Sequence, residues 1–261
     1  MPLWRFIKEK GVDKNMLWGF FTLTHIITLI IAMLIIIGLY FLLKRMPEKL
    51  QIVILGILSF SGIGAIIFNL TTWGSPLEYL PFHLCSIVAI LLPITVFTKS
   101  KVLGNLLLLW ALGALAAIIV NNAQANYEIF SWTFFFYYVP HTLEFGITVL
   151  LFALGLIKLD AKCIVSTIIL TMLIYTLVHF INLGVNAYCI KNEIVDYAGN
   201  IIQVNYMYSL VPENPIFALF YQILPYKYWY LYMSIPIIAL YLGAIYLGNG
   251  LYKKIKAKKE I

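Results

Sequence analysis

Cys85, His141 and Glu144 are the residues of this 261-residue chain whose types and spacing suit covalent chemistry. A thiol attacks as its thiolate, and it needs a base within hydrogen-bond reach and a third group to orient that base. His141 can take the proton, and Glu144, three positions further on, shares its helix face and can orient it. Cys85 opens an apolar run two residues after His83, on the side of the molecule where His141 and Glu144 also fall. Two other readings of Cys85 stand beside the catalytic one: simple packing, or a structural disulfide with Cys189. Cys163, with no polar company, reads as packing.

The elements that must position these groups follow from composition. Hydrophobic residues make up 62% of the chain and charged residues 11%, against about 45–50% and about 25% in soluble domains. Met16 to Leu43, Leu50 to Leu77, Val102 to Tyr127, Cys163 to Ile190 and Tyr228 to Tyr252 hold no Asp, Glu, Lys or Arg, and each exceeds the roughly 18 residues that span a bilayer. The chain reads as an all-α polytopic helical membrane protein. No linker, repeat or low-complexity tract divides it, so residues 1–261 form one transmembrane domain. About seven helices are expected: Met16 to Leu43, Ile52 to Leu70, Leu84 to Phe97, Val102 to Val120, Pro140 to Ile157, Cys163 to Ile181 and Tyr230 to Leu251.

Twelve Lys and Arg fall on the side holding the odd-numbered loops and the C-terminus, and six on the other. The positive-inside rule therefore puts the C-terminus in the cytoplasm. The basic residues before Asn15 oppose that orientation, and residues 1–15 are expected to lie along the interface on Leu3, Trp4, Phe6 and Ile7. Residues 182–229 form a long outer loop with an acidic balance, and residues 252–261 a basic tail. Five lysines of that tail account for much of the net charge of +7, as a stop-transfer flank does, and no nucleic-acid partner is expected. The first apolar run is too long for a cleaved signal peptide and reads as a retained helix.

Polar side chains inside spans are costly and mark function. At about 1.5 Å rise per residue, His25 and His179 fall in the outer half of the membrane, while His83 precedes the third helix and His141 opens the fifth at their outer ends. Asn69, Asn121, Asn122, Gln124, Asn182 and Asn186 follow them to the same side. Taken singly, His25 and His179 read as hydrogen-bonded structural groups. The candidate lipid contacts and oxyanion donors are His83, Asn121, Asn122, His179, Asn205 and Tyr206. No ligand spacing supports a metal site, and no phosphate or dinucleotide loop is present, so no cofactor is expected.

The string Leu80-Pro81-Phe82-His83-Leu84-Cys85-Ser86, followed by Phe134-Phe135-Phe136-Tyr137-Tyr138-Val139-Pro140-His141, resembles the YwaF family of bacterial integral membrane proteins and its animal relative, transmembrane protein 164. Asn205-Tyr206-Met207-Tyr208 with Pro215, and Tyr226-Lys227-Tyr228-Trp229-Tyr230, extend the resemblance over about Trp73 to Tyr252. It implies an acyltransferase of the membrane interior, working on phospholipid and lysophospholipid through a cysteine and a histidine that correspond to Cys85 and His141. Glu144 comes from the residue reading and not from the family. The expected site faces the outer leaflet of the cell membrane. A lipid hydrolase with the same residues, and a transporter or channel, are the competing readings; against transport, the inner halves of the helices hold few ionisable groups.

Overall fold

The computed structural model describes residues 17–73, 75–120, 124–196, 198–213 and 215–259. The expected interfacial segment 1–15 and the candidates Asn121 and Asn122 lie outside them. The helices are α1 (Leu23–Leu43), α2 (Glu48–Ser59), α3 (Ser61–Thr72), α4 (Leu84–Thr98), α5 (Lys101–Ile119), α6 (Trp132–Ala153), α7 (Cys163–Lys191), α8 (Pro215–Ile223) and α9 (Ser234–Lys259). With α2 and α3 counted as one span, six are long and apolar enough to cross a membrane, and the shorter α4 makes the seventh apolar helix of the bundle.

Several boundaries depart from the sequence reading, each for a local reason. α1 starts at Leu23, because Thr22 caps it, its hydroxyl accepting from the His25 N–H at 3.2 Å. The residues before it turn back instead: the Trp18 and Gly19 amides donate to the carbonyls of Tyr127 and Ala125, both at 2.8 Å. The second span breaks at Phe60 into α2 and α3. α6 begins at Trp132, not Pro140, with Ser131 as its cap, the hydroxyl accepting from the Phe134 amide at 3.1 Å. Pro140 sits inside the helix, where it removes one backbone donor, a loss that membrane helices tolerate when neighbours re-satisfy the freed group. His141 therefore does not open its helix but stands nine residues inside it. α7 runs on to Lys191, so Asn182 and Asn186 are helical residues, and the long loop begins about ten residues later than expected. The basic tail continues α9 as helix to Lys259.

α6 is the hub, packing against α1, α2, α3, α4 and α5, while α7 packs on α5 and α9. It carries a proline, a histidine, a glutamate and two buried threonines, and it is the most covered of the spans. Lipid tails offer apolar surface as readily as a leucine does, so helices here gain by close packing rather than by leaving water. Glycines set that packing: a Cβ on Gly62 of α3 would stand 2.5 Å from the Cβ of Ala89 on α4, and one on Gly104 of α5 would stand 2.8 Å from Ile157. The main core, with Leu92, Leu107, Trp110, Ile147, Leu150 and Leu151 at its centre, lies toward the end of the bundle that bears Lys99, Lys101, Lys158 and Lys162.

Candidate active site

Cys85 and His141 stand on neighbouring helices and line one cavity. Cys85 is thirteen residues from the lysine-bearing end of α4 and His141 twelve from that end of α6, which places them about 20 and 18 Å along their helices. Both line one cavity of about 960 Å³ together with Glu144, His83, Tyr137 and Tyr208, near the upper end of the range for small-molecule sites. Both helix lengths, about 20 and 18 Å, are shorter than the roughly 30 Å of a hydrocarbon core. α4, with only 15 residues, is too short to carry Cys85 out to the far surface.

Cys85 is half-buried, and it is free, as are the buried Cys163 and Cys189. The disulfide reading is overturned: Cys189 is fully buried in a separate cluster with Val178, Ile202 and Tyr206. Cys163 is also buried, as packing requires. Cys85 is the second residue of α4. No side chain caps this helix, and its first backbone bond is from Ile87 N–H to the His83 carbonyl at 3.0 Å. The amides of Leu84, Cys85 and Ser86 therefore have no acceptor within the helix, and such first-turn amides favour negative charge.

His141 is held by its own helix. Its Nδ1 lies 2.6 Å from the Tyr137 carbonyl oxygen. A carbonyl only accepts, so Nδ1 carries the proton and the neutral ring presents Nε2 as a base. The Tyr137 ring lies against it, centroids 4.4 Å apart. The expected orienting role of Glu144 thus falls to a backbone carbonyl. Glu144 lines the cavity within electrostatic reach of His141 and Cys85; it is 3% exposed, and its Oε2 is buried without a hydrogen-bond partner. Gly62 makes room for it, since a Cβ there would stand 3.0 Å from Glu144 Oε1.

The remaining candidates separate. His83 lines the main cavity and a neighbouring recess of about 170 Å³ that also touches Glu78, Asn205, Tyr206 and Glu213. Burial pulls the His83 imidazole below its ordinary range, against the opposing pull of the Glu213 carboxylate. Asn205 and Tyr206 do not line the main cavity. The Asn205 amide donates to the Val211 carbonyl and to Glu213, and the Tyr206 hydroxyl donates to the Leu77 carbonyl. His179 is likewise outside it, stacked on Tyr228 with Nδ1 3.2 Å from the Ser209 hydroxyl. His25 is wholly buried, its Nε2 donating to the Ile118 carbonyl at 2.8 Å and its Nδ1 accepting from the Phe21 amide at 3.0 Å. Neither histidine lines the main cavity, and each has hydrogen-bond partners within the fold.

These groups clamp one loop that the sequence pointed to for another reason. Asn182 of α7 donates to the Tyr206 carbonyl and accepts from the Tyr206 amide, both at 2.9 Å. Asn186 brackets Val204 in the same way, at 3.0 and 2.7 Å. The clamp holds Met207 and Tyr208 at φ values of 53° and 57°, a left-handed region that costs about 1–3 kcal/mol for each such residue. Both side chains thereby reach the cavity wall. Tyr137, Ser86, Gly62, Met207 and Tyr208 were missed as site residues, although all but Gly62 lie within the strings that carry the family resemblance.

No significant match is found among curated proteins or solved structures. The family profile of the TMEM164 family matches residues 20–245, an interval that contains Cys85, His141, Glu144 and the loop clamp, and the chain belongs to that family of membrane proteins.

Proposed function

We propose that the protein is an intramembrane acyltransferase, carrying a fatty acyl chain from a phospholipid to a lysophospholipid as a thioester on Cys85. The observation that carries this reading is the shared cavity: a free thiol at a helix start and an imidazole with its Nε2 lone pair available face the same space.

In the first half-reaction the Cys85 proton passes to His141 Nε2, and the thiolate attacks the carbonyl carbon of the donor ester. The C–O bond breaks, the departing alkoxide takes the proton from His141, and a lysolipid leaves. In the second, His141 takes the proton of the acceptor hydroxyl as its oxygen attacks the thioester. The C–S bond breaks, and the sulfur regains a proton from His141. The first-turn amides of α4 supply the oxyanion donors, in place of the asparagines considered from sequence; one such donor is worth about 2.7–4 kcal/mol in related chemistry. Glu144 lines the same cavity one turn beyond His141.

Ester carbonyls lie where head group meets chain, so a lipid must sink or a head group must follow it inward. The recess beside His83 gives the polar part room next to the apolar cavity. The test is transfer of an isotope-labelled acyl chain in vesicles holding the purified protein, with and without added lysophospholipid. Label appearing in the acceptor lipid supports transfer; label released as free fatty acid regardless of acceptor makes the protein a hydrolase; label that never leaves the donor overturns both.

A further inference from the structure

We propose that α8, Pro215–Ile223, is embedded in the membrane and forms the wall that separates the Cys85 cavity from the surrounding lipid. Its composition is the first ground. Thirteen uncharged residues lie between Glu213 and Lys227, bracketed by Pro215 and Pro225. The helix has nine residues, about 14 Å of length, far short of the roughly 30 Å of a bilayer core.

Its two faces are the second ground. The inward residues Phe217, Phe220 and Tyr221 share one apolar cluster with Tyr230 and Leu231, against which Tyr175 of α7 also packs. The outward face would be polar in a helix facing water. Here it presents Leu219, 55% exposed, and Ile223, 61% exposed, with Gln222 as its polar residue. Depth is the third ground. Tyr175 is twelve residues from the lysine-bearing end of α7 and sixteen from the other, about 18 Å along a helix of about 43 Å. That is the depth of Cys85 and His141, so a helix that shares an apolar cluster with Tyr175 lies at the depth of the hydrocarbon core. The lipid-facing side chains Phe180 and Leu183 of α7 and Ile237 of α9 are exposed on the neighbouring spans, and the outward face of α8 continues their surface.

Phe217 of α8 lines the cavity, and its ring lies 5.9 Å from that of Tyr208. Acyl chains on one side of α8 are therefore one helix thickness from the thiol on the other. The segment read from sequence as part of an outer aqueous loop becomes a re-entrant one.

The placement does not depend on the acyl-transfer reading and is tested without it. Wild-type protein in phosphatidylcholine vesicles containing a phospholipid with a diazirine on its acyl chain is irradiated, digested and mapped by mass spectrometry. Adducts on the α8 peptide at Leu219 or Ile223, alongside adducts on the α7 and α9 peptides, are the expected result. Adducts on the α7 and α9 peptides with none on α8 would overturn the placement.

Discussion

The Tyr137 carbonyl oxygen lies 2.6 Å from Nδ1 of His141, four residues along the same helix. One turn of α6 thus fixes both the tautomer and the direction of the base, with no third side chain required. Glu144, on the next turn, lines the same cavity and is buried.

His141→Asn tests that arrangement. The amide of asparagine can donate to the Tyr137 carbonyl in place of Nδ1–H, but it has no basic nitrogen where Nε2 stood. We expect a folded protein with an unchanged thermal midpoint and a transfer rate at least about 100-fold lower, the usual worth of a positioned general base. Transfer near the wild-type rate would remove His141 from the mechanism.

Gly62→Ala puts a Cβ 2.5 Å from that of Ala89 and 3.0 Å from Glu144 Oε1. Overpacking of this kind costs about 1–3 kcal/mol, read as a lower midpoint of thermal unfolding in detergent. Adding Ala89→Gly removes the closest clash and should recover most of the loss. A double variant no more stable than the single one would show that the α3–α4 contact does not set the packing.

Asn182→Ala removes the two bonds that bracket Tyr206 and leaves a buried amide and carbonyl unpaired. The cost is about 1–3 kcal/mol for each group so stranded, and the released turn should withdraw Met207 and Tyr208 from the cavity wall. Both unfolding temperature and transfer should fall. A variant that melts and transfers like wild type would place the Asn205–Tyr208 turn under other control.

Cys85 is the half-buried thiol beside the cavity, whereas Cys163 and Cys189 are buried in packed clusters. N-ethylmaleimide should therefore add one equivalent to the native protein, mapped to Cys85, and added phospholipid should slow the addition. Equal labelling of all three thiols would contradict the packing described for Cys163 and Cys189.

The spans and the placing of Cys85 and His141 on one cavity were legible in the sequence because charge-free runs and the rarity of intramembrane Cys and His are strong signals. What was not legible depended on groups without a letter of their own. Pro140 read as a helix start because it removes a donor, yet here the helix runs through it from Trp132. Asn182 and Asn186 read as loop residues because they are polar, but they are the helical clamps of a neighbouring turn. The support for His141 is a main-chain carbonyl, and the candidate oxyanion donors are main-chain amides, which no residue type announces. α8 escaped notice because a helix of nine residues is too short to register as a span. The glutamate was found by its position one turn from His141, and its task was misassigned for the same reason: proximity on a helix face does not say which group the ring nitrogen will meet.

The most direct measurement of the central claim is the intact mass of purified protein after incubation with phospholipid alone, for wild type, Cys85→Ala and His141→Asn. Acyl transfer through a thioester predicts a mass increase of one acyl chain on wild type, lost on treatment with hydroxylamine, absent from Cys85→Ala and strongly reduced in His141→Asn. Wild-type protein that carries no such adduct while still moving acyl chains between lipids would contradict the covalent mechanism.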